Sequence, residues 1–390
     1  MKVNKFTLLL TAFVIIFTVQ ECISSVTLAD STILPSVDNT RKLNQAMRKL
    51  ARKEWPLPGA TGSLRLNDST EAVIRLKKYL LATGDLYDVN RRYLFIPVFD
   101  EKLEEAVKNF QVRHGLNPDG IAGEYTLQSM NVPVSERLEQ IEANIIRMQD
   151  LPADWGDRYI VVNIPGYVME YYDEGRLATR MNVVVGELEN YTPTFQDTMS
   201  YIVFNPEWNV PVSIAVKEIV PEVKSDPGYL AKHHYVILKG SQDKPDTIPP
   251  EDINWDELTE ENFPVRIVQL PGKWNSLGRM KFMFPNNYNI YLHDSPSEQL
   301  FTYEKRAFSH GCIRLENPME LAEILLSGQM KPDEIKKILD QDKTTSVPLK
   351  NKVVVHLIYE TAWVDREGRL NFREDIYGLD KQTVSEIKQR

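Results

Sequence analysis

The sequence predicts an α+β chain of several domains: a small three-helix bundle, then a mainly β domain that carries an insertion and ends in helices. Three observations carry this. Apolar residues recur with helical period between Asn67 and Asn131, the period changes to strand-like alternation after Asp157, and helical segments return after Asn317. With 390 residues, 42% of them hydrophobic and 26% charged, the chain can bury more than one core.

At the N-terminus Lys2 and Lys5 precede an uncharged apolar run from Phe6 to Val19, and small residues follow. That order predicts a secretory signal peptide over residues 1–29, cleaved near Ser24 or Ala29; an uncleaved signal anchor is the alternative. Glu21 stands where a lipid-attachment signal at Cys22 wants a small residue. Export across the inner membrane to the periplasm or cell envelope follows, and Cys312 is then the one cysteine left, with no intramolecular disulfide partner. Residues 30–65 mix Ser, Thr, Pro and basic side chains and read as a flexible arm.

The bundle is expected over residues 66–132. Asp68 or Ser69 caps a helix with Val73, Leu76 and Leu80 on one face and Gly84 at its end. Leu103, Ala106, Val107 and Phe110 mark a second helix ended by Gly115, "NPDG" a turn and "EYTLQSMN" a third helix. A linker helix occupies residues 133–157, Ser135 capping and Leu138, Ile141, Ile145 and Met148 forming its stripe. Residues 158–385 form the β domain. A hairpin turns at "DEGR", and "SYIVFNP", "VRIVQL", "RMKFMF" and "NIYLHD" add strands. Residues 213–273 start helical and continue as an acidic, proline-bearing excursion, expected to cap the β domain as a lid. "NPMELAEILLSG" and "KPDEIKKILD" are helices, and "NKVVVHLIYETAWVDREGRLNFREDIYG" a closing hairpin.

A formal charge of −9 argues against a broad basic face for nucleic acid. His114, His233, His234 and His356 are scattered without metal-ligand spacing, so no zinc site and no cofactor is expected. The chemistry concentrates in "AFSHGCIRLENP". A thiol attacks acyl carbon as thiolate, which requires a base; His293 and His310 are both candidates. Gly311 lets substrate approach the backbone, and the Gly311 and Cys312 amides form a possible oxyanion hole. Arg314 suits a carboxylate or pairs with Glu316; Tyr291 shares a strand face with His293 and either donates a hydrogen bond or packs.

"AVKNFQVRHGLNPDGIAGEYTLQSMN" resembles the peptidoglycan-binding domain found beside many cell-wall enzymes. "IYLHD" followed by "SHGCIRLENP" resembles the L,D-transpeptidase (YkuD-type) catalytic domain, in the large subgroup with a peptidoglycan-binding domain and a capping insertion. The resemblance implies Cys312 as nucleophile and His293 as its activating partner. It also implies that Ser309, His310 and Gly311 shape the site, Tyr291 assists at the oxyanion, and Arg314 and Trp208 bind substrate. The implied reaction is acyl transfer from a tetrapeptide stem with loss of D-alanine, onto a diamino-acid amine of a second stem, giving 3-3 crosslinks. Implied alternatives are L,D-carboxypeptidase or exchange activity, or attachment of an envelope protein. The implied partners are peptidoglycan stems and glycan, with carbapenem-type β-lactams as covalent inhibitors; no stable protein partner is inferred. A papain-like peptidase would place its cysteine before its histidine, whereas His293 precedes Cys312. The chain departs from the family in its short region ahead of the bundle and in "NIIRMQDLP", where many relatives have a tryptophan-rich run.

Overall fold

The structure, a computed structural model, describes residues 37–52, 62–152, 154–241, 244–365 and 367–388. The expected signal segment, Cys22 included, lies outside the described residues. Within the expected arm, Val37–Leu50 forms helix α1, whose Leu43 and Leu50 bury against Ile141, Val364 and Phe372. Spacings of four and three between Leu43, Met47 and Leu50 are the helical signal that the arm's polar composition obscured.

Helix α2 (Glu71–Thr83) has Thr70 at its N-cap, one residue after Ser69 and two after Asp68, the expected caps. Asp68 instead accepts from the Arg65 amide at 2.8 Å, and Ser69 bridges to Val98. Gly84 ends the helix at φ 90°, its N–H returned to the Leu80 and Leu81 carbonyls, the left-handed cap that glycine adopts without a Cβ clash. Asp100 caps α3 (Glu101–Arg113), accepting from the Leu103 amide at 3.0 Å, and α4 spans Glu124–Met130. Val73, Leu76, Leu103, Val107, Phe110 and Met130 form the core between them. Gln111 ties the landmarks together: its amide donates to Asp119, the Ile121 carbonyl and Thr126, and its oxygen accepts from the Gly120 N–H. The Phe-Gln, Asp-Gly and Thr-Leu landmarks therefore build the bundle itself.

Helix α5 (Val134–Arg147) is led by Pro133, and Ser135 lies inside its first turn without capping it. Its buried face is partly polar. Gln140 donates to the Thr361 and Arg373 carbonyls at 3.2 and 2.6 Å, and Asn144 Oδ1 accepts from the Thr361 N–H at 2.8 Å. These bonds fix the helix to the end of the chain. The bundle is anchored there too: Arg113 makes a bidentate pair with Asp85 inside the bundle and donates to the Leu370 carbonyl, while Arg373 donates to the Arg113 carbonyl at 3.0 Å.

The β domain begins with β1 (Arg158–Asn163), β2 (Val168–Asp173), β3 (Arg176–Gly186) and β4 (Phe195–Phe204). The chain then leaves for the cap: β5 (Trp208–Asn209), α6 (Val212–Ile214), a π-helical turn (Ala215–Ile219), α7 (Val220–Ser225), α8 (Tyr229–Lys232), β6 (Tyr235–Gly240), β7 (Pro245–Ile248) and β8 (Arg266–Gln269). The expected excursion contributes strands to a four-stranded sheet ordered β5-β8-β6-β7, with its own core around Ile214, Ile219, Leu230, Ile237 and Ile267. The cap is a folded layer that contains the expected helical start and the "VRIVQL" strand; Pro and acidic residues obscured the short strands β6 and β7, which read as an exposed excursion.

The chain returns through β9 (Met280–Met283), β10 (Leu292–His293), β11 (Ala307–Ser309) and β12 (Ile313–Leu315), then α9 (Pro318–Leu325), α10 (Pro332–Leu339), β13 (Thr345–Ile358), β14 (Ala362–Val364), β15 (Leu370–Phe372) and α11 (Leu379–Lys388). Strand order is β11-β3-β12-β10-β9-β4-β13-β1-β2, and the β2–β3 pairing closes the ring. "NKVVVHLI" thus belongs to a long central strand pairing with β4 and β1; the closing hairpin is only β14–β15. Inside the ring lie Ile202, Phe204, Phe282, Leu292, Ile313 and Val355, all fully buried, each contributing about 1.5–3 kcal/mol on leaving water.

Candidate active site

Cys312 follows the tight turn between β11 and β12. Ser309 Oγ donates to the Cys312 carbonyl at 2.5 Å and accepts from the Gly311 N–H at 3.2 Å. Gly311 has φ 105°, and a Cβ there would lie 3.3 Å from Ile290 Cδ1, so the turn needs glycine for both conformation and room. From below, Thr192 Oγ1 donates to the Gly311 carbonyl at 2.7 Å and accepts from the Gly186 N–H at 2.9 Å. The Gly311 amide is already spent on Ser309, which removes it from the expected oxyanion pair.

Neighbouring strands supply the other groups. β10 runs parallel to β12 with His293 beside Arg314, and antiparallel to β9 with His293 opposite Lys281. Strand alternation sends Phe282, Leu292 and Ile313 into the barrel and sets Lys281, His293 and Arg314 in one row on the other face. Tyr291 and Cys312 share that face two residues earlier. Lys281 Nζ lies 3.7 Å from the Tyr291 ring centroid, and the Tyr291 and His293 rings meet edge to face at 5.7 Å.

The half-buried thiol donates to the Asn289 carbonyl at 3.7 Å. Burial pushes its pKa up, opposed by the Tyr291 backbone and hydroxyl and by the charges of Lys281 and Arg314. Burial likewise pushes Tyr291 up, reinforced by Cys312, and lowers Lys281 and Arg314, where the sulfur acts in the opposite sense. His293 is buried, and burial followed by the Arg314 charge lowers it to about 3. Its Nδ1 lies 2.6 Å from the Asp294 carbonyl; a carbonyl only accepts, so Nδ1 carries the proton and Nε2 the lone pair. Among the described contacts none joins His293 to Cys312; the strands bring them to adjacent rows of one face. Asp294 is held by its own carboxylate, which accepts from the Arg279 and Ser295 amides at 2.7 Å each.

The alternatives left by the sequence separate here. Glu316 binds the Asn182 amide and side chain, not Arg314, and Arg314 Nε is buried without a partner among the described residues. His310 is exposed and its Nε2 lies 2.6 Å from Glu218 Oε1 of the cap. Trp208 pairs with Gln269 in the cap sheet and packs toward Tyr235 and the cap core, so among the described contacts it serves the cap and not the cysteine. Lys281, Thr192 and Glu218 were missed. Lys281 was readable only as an inward-outward alternation in "RMKFMF" one strand from "IYLH"; Thr192 and Glu218 carry no local signal.

Among the described residues no group of His, Cys, Asp and Glu could hold a metal ion, and no helix is long and apolar enough to cross a membrane. The family model for the L,D-transpeptidase catalytic domain matches residues 157–355, just over half of the chain, and that for a peptidoglycan binding domain matches residues 69–130. A Haemophilus influenzae protein named as an L,D-transpeptidase is 36% identical over 263 residues, covering 66% of this chain and 52% of that protein. The chain thus spans about half the length of this curated relative. Among solved structures, an L,D-transpeptidase from Xylanimonas cellulosilytica is 13% identical with TM-score 0.23, covering 77% of this chain and 100% of that one. The catalytic domain of an E. faecium L,D-transpeptidase acylated by ertapenem is 15% identical with TM-score 0.21, covering 53% and 99%. On the match of its catalytic-domain model, the chain belongs to the L,D-transpeptidase family.

Proposed function

We propose that this chain acts in the cell envelope as a cysteine acyltransferase on peptidoglycan stems, with Cys312 as nucleophile and His293 as its base. The observation that carries this is a single half-buried thiol facing Lys281, Arg314 and Tyr291, one row from a neutral, tautomer-fixed His293. His293 Nε2 takes the thiol proton as the sulfur attacks the L,D peptide bond of a tetrapeptide stem. The Cys312 N–H and the Tyr291 hydroxyl stabilise the oxyanion, and D-alanine leaves on accepting the proton from His293. Arg314, its Nε unpaired, takes a stem carboxylate in a fork of donors. The thioester then passes to a diamino-acid amine of a second stem, forming a 3-3 crosslink; the folded cap limits water, the competing acceptor.

Intact-protein mass spectrometry with a carbapenem tests the nucleophile. The wild type is expected to gain one adduct and Cys312→Ala none. An adduct of equal yield on folded Cys312→Ala would overturn the assignment.

A further inference from the structure

The surroundings of Cys312 are cationic: Lys281 and Arg314 both act electrostatically on the sulfur. That suits a donor stem, whose carboxylates are anions. The acceptor presents the opposite problem, since an aliphatic amine with a pKa of about 10 is an ammonium at neutral pH. It must approach a cationic site and lose a proton before it can attack.

One carboxylate reaches across from the cap. Glu218 lies on the π-helical turn Ala215–Ile219, where the Val220 N–H reaches five residues back to the Ala215 carbonyl. Pro221 has no N–H for the Lys217 carbonyl, so the regular ladder is interrupted and the turn widens. The widened turn presents Glu218 to His310, with Oε1 2.6 Å from Nε2, and its charge also acts on Arg314. Both side chains of the pair are substantially exposed, 37% for His310 and 52% for Glu218. Neighbouring Lys217 is engaged elsewhere, with Glu260. A carboxylate accepts, so neutral His310 carries its proton on Nε2 and offers the Nδ1 lone pair.

We infer that the Glu218–His310 pair is the acceptor subsite, receiving the ammonium of the second stem and removing its proton while His293 serves the acylation half-reaction. This rests on the proposed acyl transfer. The ammonium gives one proton to His310 Nδ1, and Glu218 balances the resulting imidazolium. The neutral amine attacks the thioester carbonyl; as the C–S bond breaks, the nitrogen's second proton passes to the Cys312 sulfur, and an amide and a thiol remain. His310 then releases the first proton to water, which balances the proton that the departed D-alanine amine takes up on becoming an ammonium, so a full turnover releases none.

The test uses the full mature chain, a tetrapeptide stem as donor and a diamino-acid stem as acceptor at varied concentration, comparing wild type, Glu218→Gln and Glu218→Asp. Donor acylation is followed by intact mass, and crosslinked and hydrolysed products by chromatography. For Glu218→Gln the expected result is an acceptor KM raised at least tenfold and a crosslink-to-hydrolysis ratio lowered about tenfold. Glu218→Asp should recover part of both. Equal ratios in wild type and Glu218→Gln, or a parallel loss of donor acylation and crosslinking, would overturn the subsite. If the wild type itself forms no acyl-enzyme with the donor, the underlying reading fails with it, and the acylation measurement alone reports that.

Discussion

Asp294→Asn isolates how the fold holds the base. The Asp294 carboxylate accepts from two backbone amides, Arg279 and Ser295, at 2.7 Å each, while its carbonyl accepts from His293 Nδ1 at 2.6 Å. Asparagine has the same shape but one acceptor oxygen, so its amide NH₂ must face one of the two N–H donors. A hydrogen bond to a charged group is worth about 1.5–3 kcal/mol. Burial already raises the Asp294 pKa, which offsets part of that, and a net loss of about 1–2 kcal/mol is expected. Gly278 packs so closely that a Cβ there would lie 2.3 Å from Asp294 Cγ, which leaves the side chain little room to turn. If about 1.4 kcal/mol of the loss reaches the acylation barrier, the rate falls tenfold. The assay is the rate of carbapenem adduct formation by intact mass, with denaturant unfolding on the same samples. A folded Asp294→Asn protein acylated at the wild-type rate would refute the argument that this carbonyl positions His293.

Three further outcomes follow from the same geometry. With the thiol pushed above its usual range and His293 lowered to about 3, the resting pair is neutral. Acylation should be flat from about pH 5 to 8 and rise as the thiol ionises above about 8.5, whereas a resting thiolate–imidazolium pair would give an inflection inside that window. Gly311→Ala places a β-carbon at φ 105° and 3.3 Å from Ile290 Cδ1, so acylation should fall at least tenfold with about 1–3 kcal/mol lost in stability; wild-type kinetics would show that the turn tolerates a side chain. Asp85→Ala strips the buried Arg113 of its bidentate partner and should cost about 3–5 kcal/mol. Asp85→Leu with Arg113→Met should recover most of this in denaturant unfolding.

Legibility in the sequence followed the strength of local signals. Helices α2 to α4 announced themselves through period, and Gly84, Gly115 and Gly120 through turns that the structure realises at φ 90°, 69° and 76°. The SHGC turn was readable because Ser309, Gly311 and Cys312 are local partners. Partners brought together by topology were not: the Lys281–His293–Arg314 row depends on three strands meeting in register, and Glu218 reaches His310 across 92 residues. The reading of the Gly311 amide as an oxyanion donor overlooked a local competitor, the Ser309 hydroxyl two residues earlier, which takes that N–H. Polar anchors of α5 such as Gln140 and Asn144 were hidden because their hydrogen-bond partners at Thr361 and Arg373 lie more than two hundred residues away.

The most direct test of acyl transfer through Cys312 is product analysis by mass spectrometry after incubating the purified mature chain with disaccharide-tetrapeptides. The account predicts a 3-3 crosslinked dimer with one D-alanine released per link, absent with Cys312→Ala. Crosslinked product formed equally by Cys312→Ala, or wild type that leaves the stems intact, would contradict it.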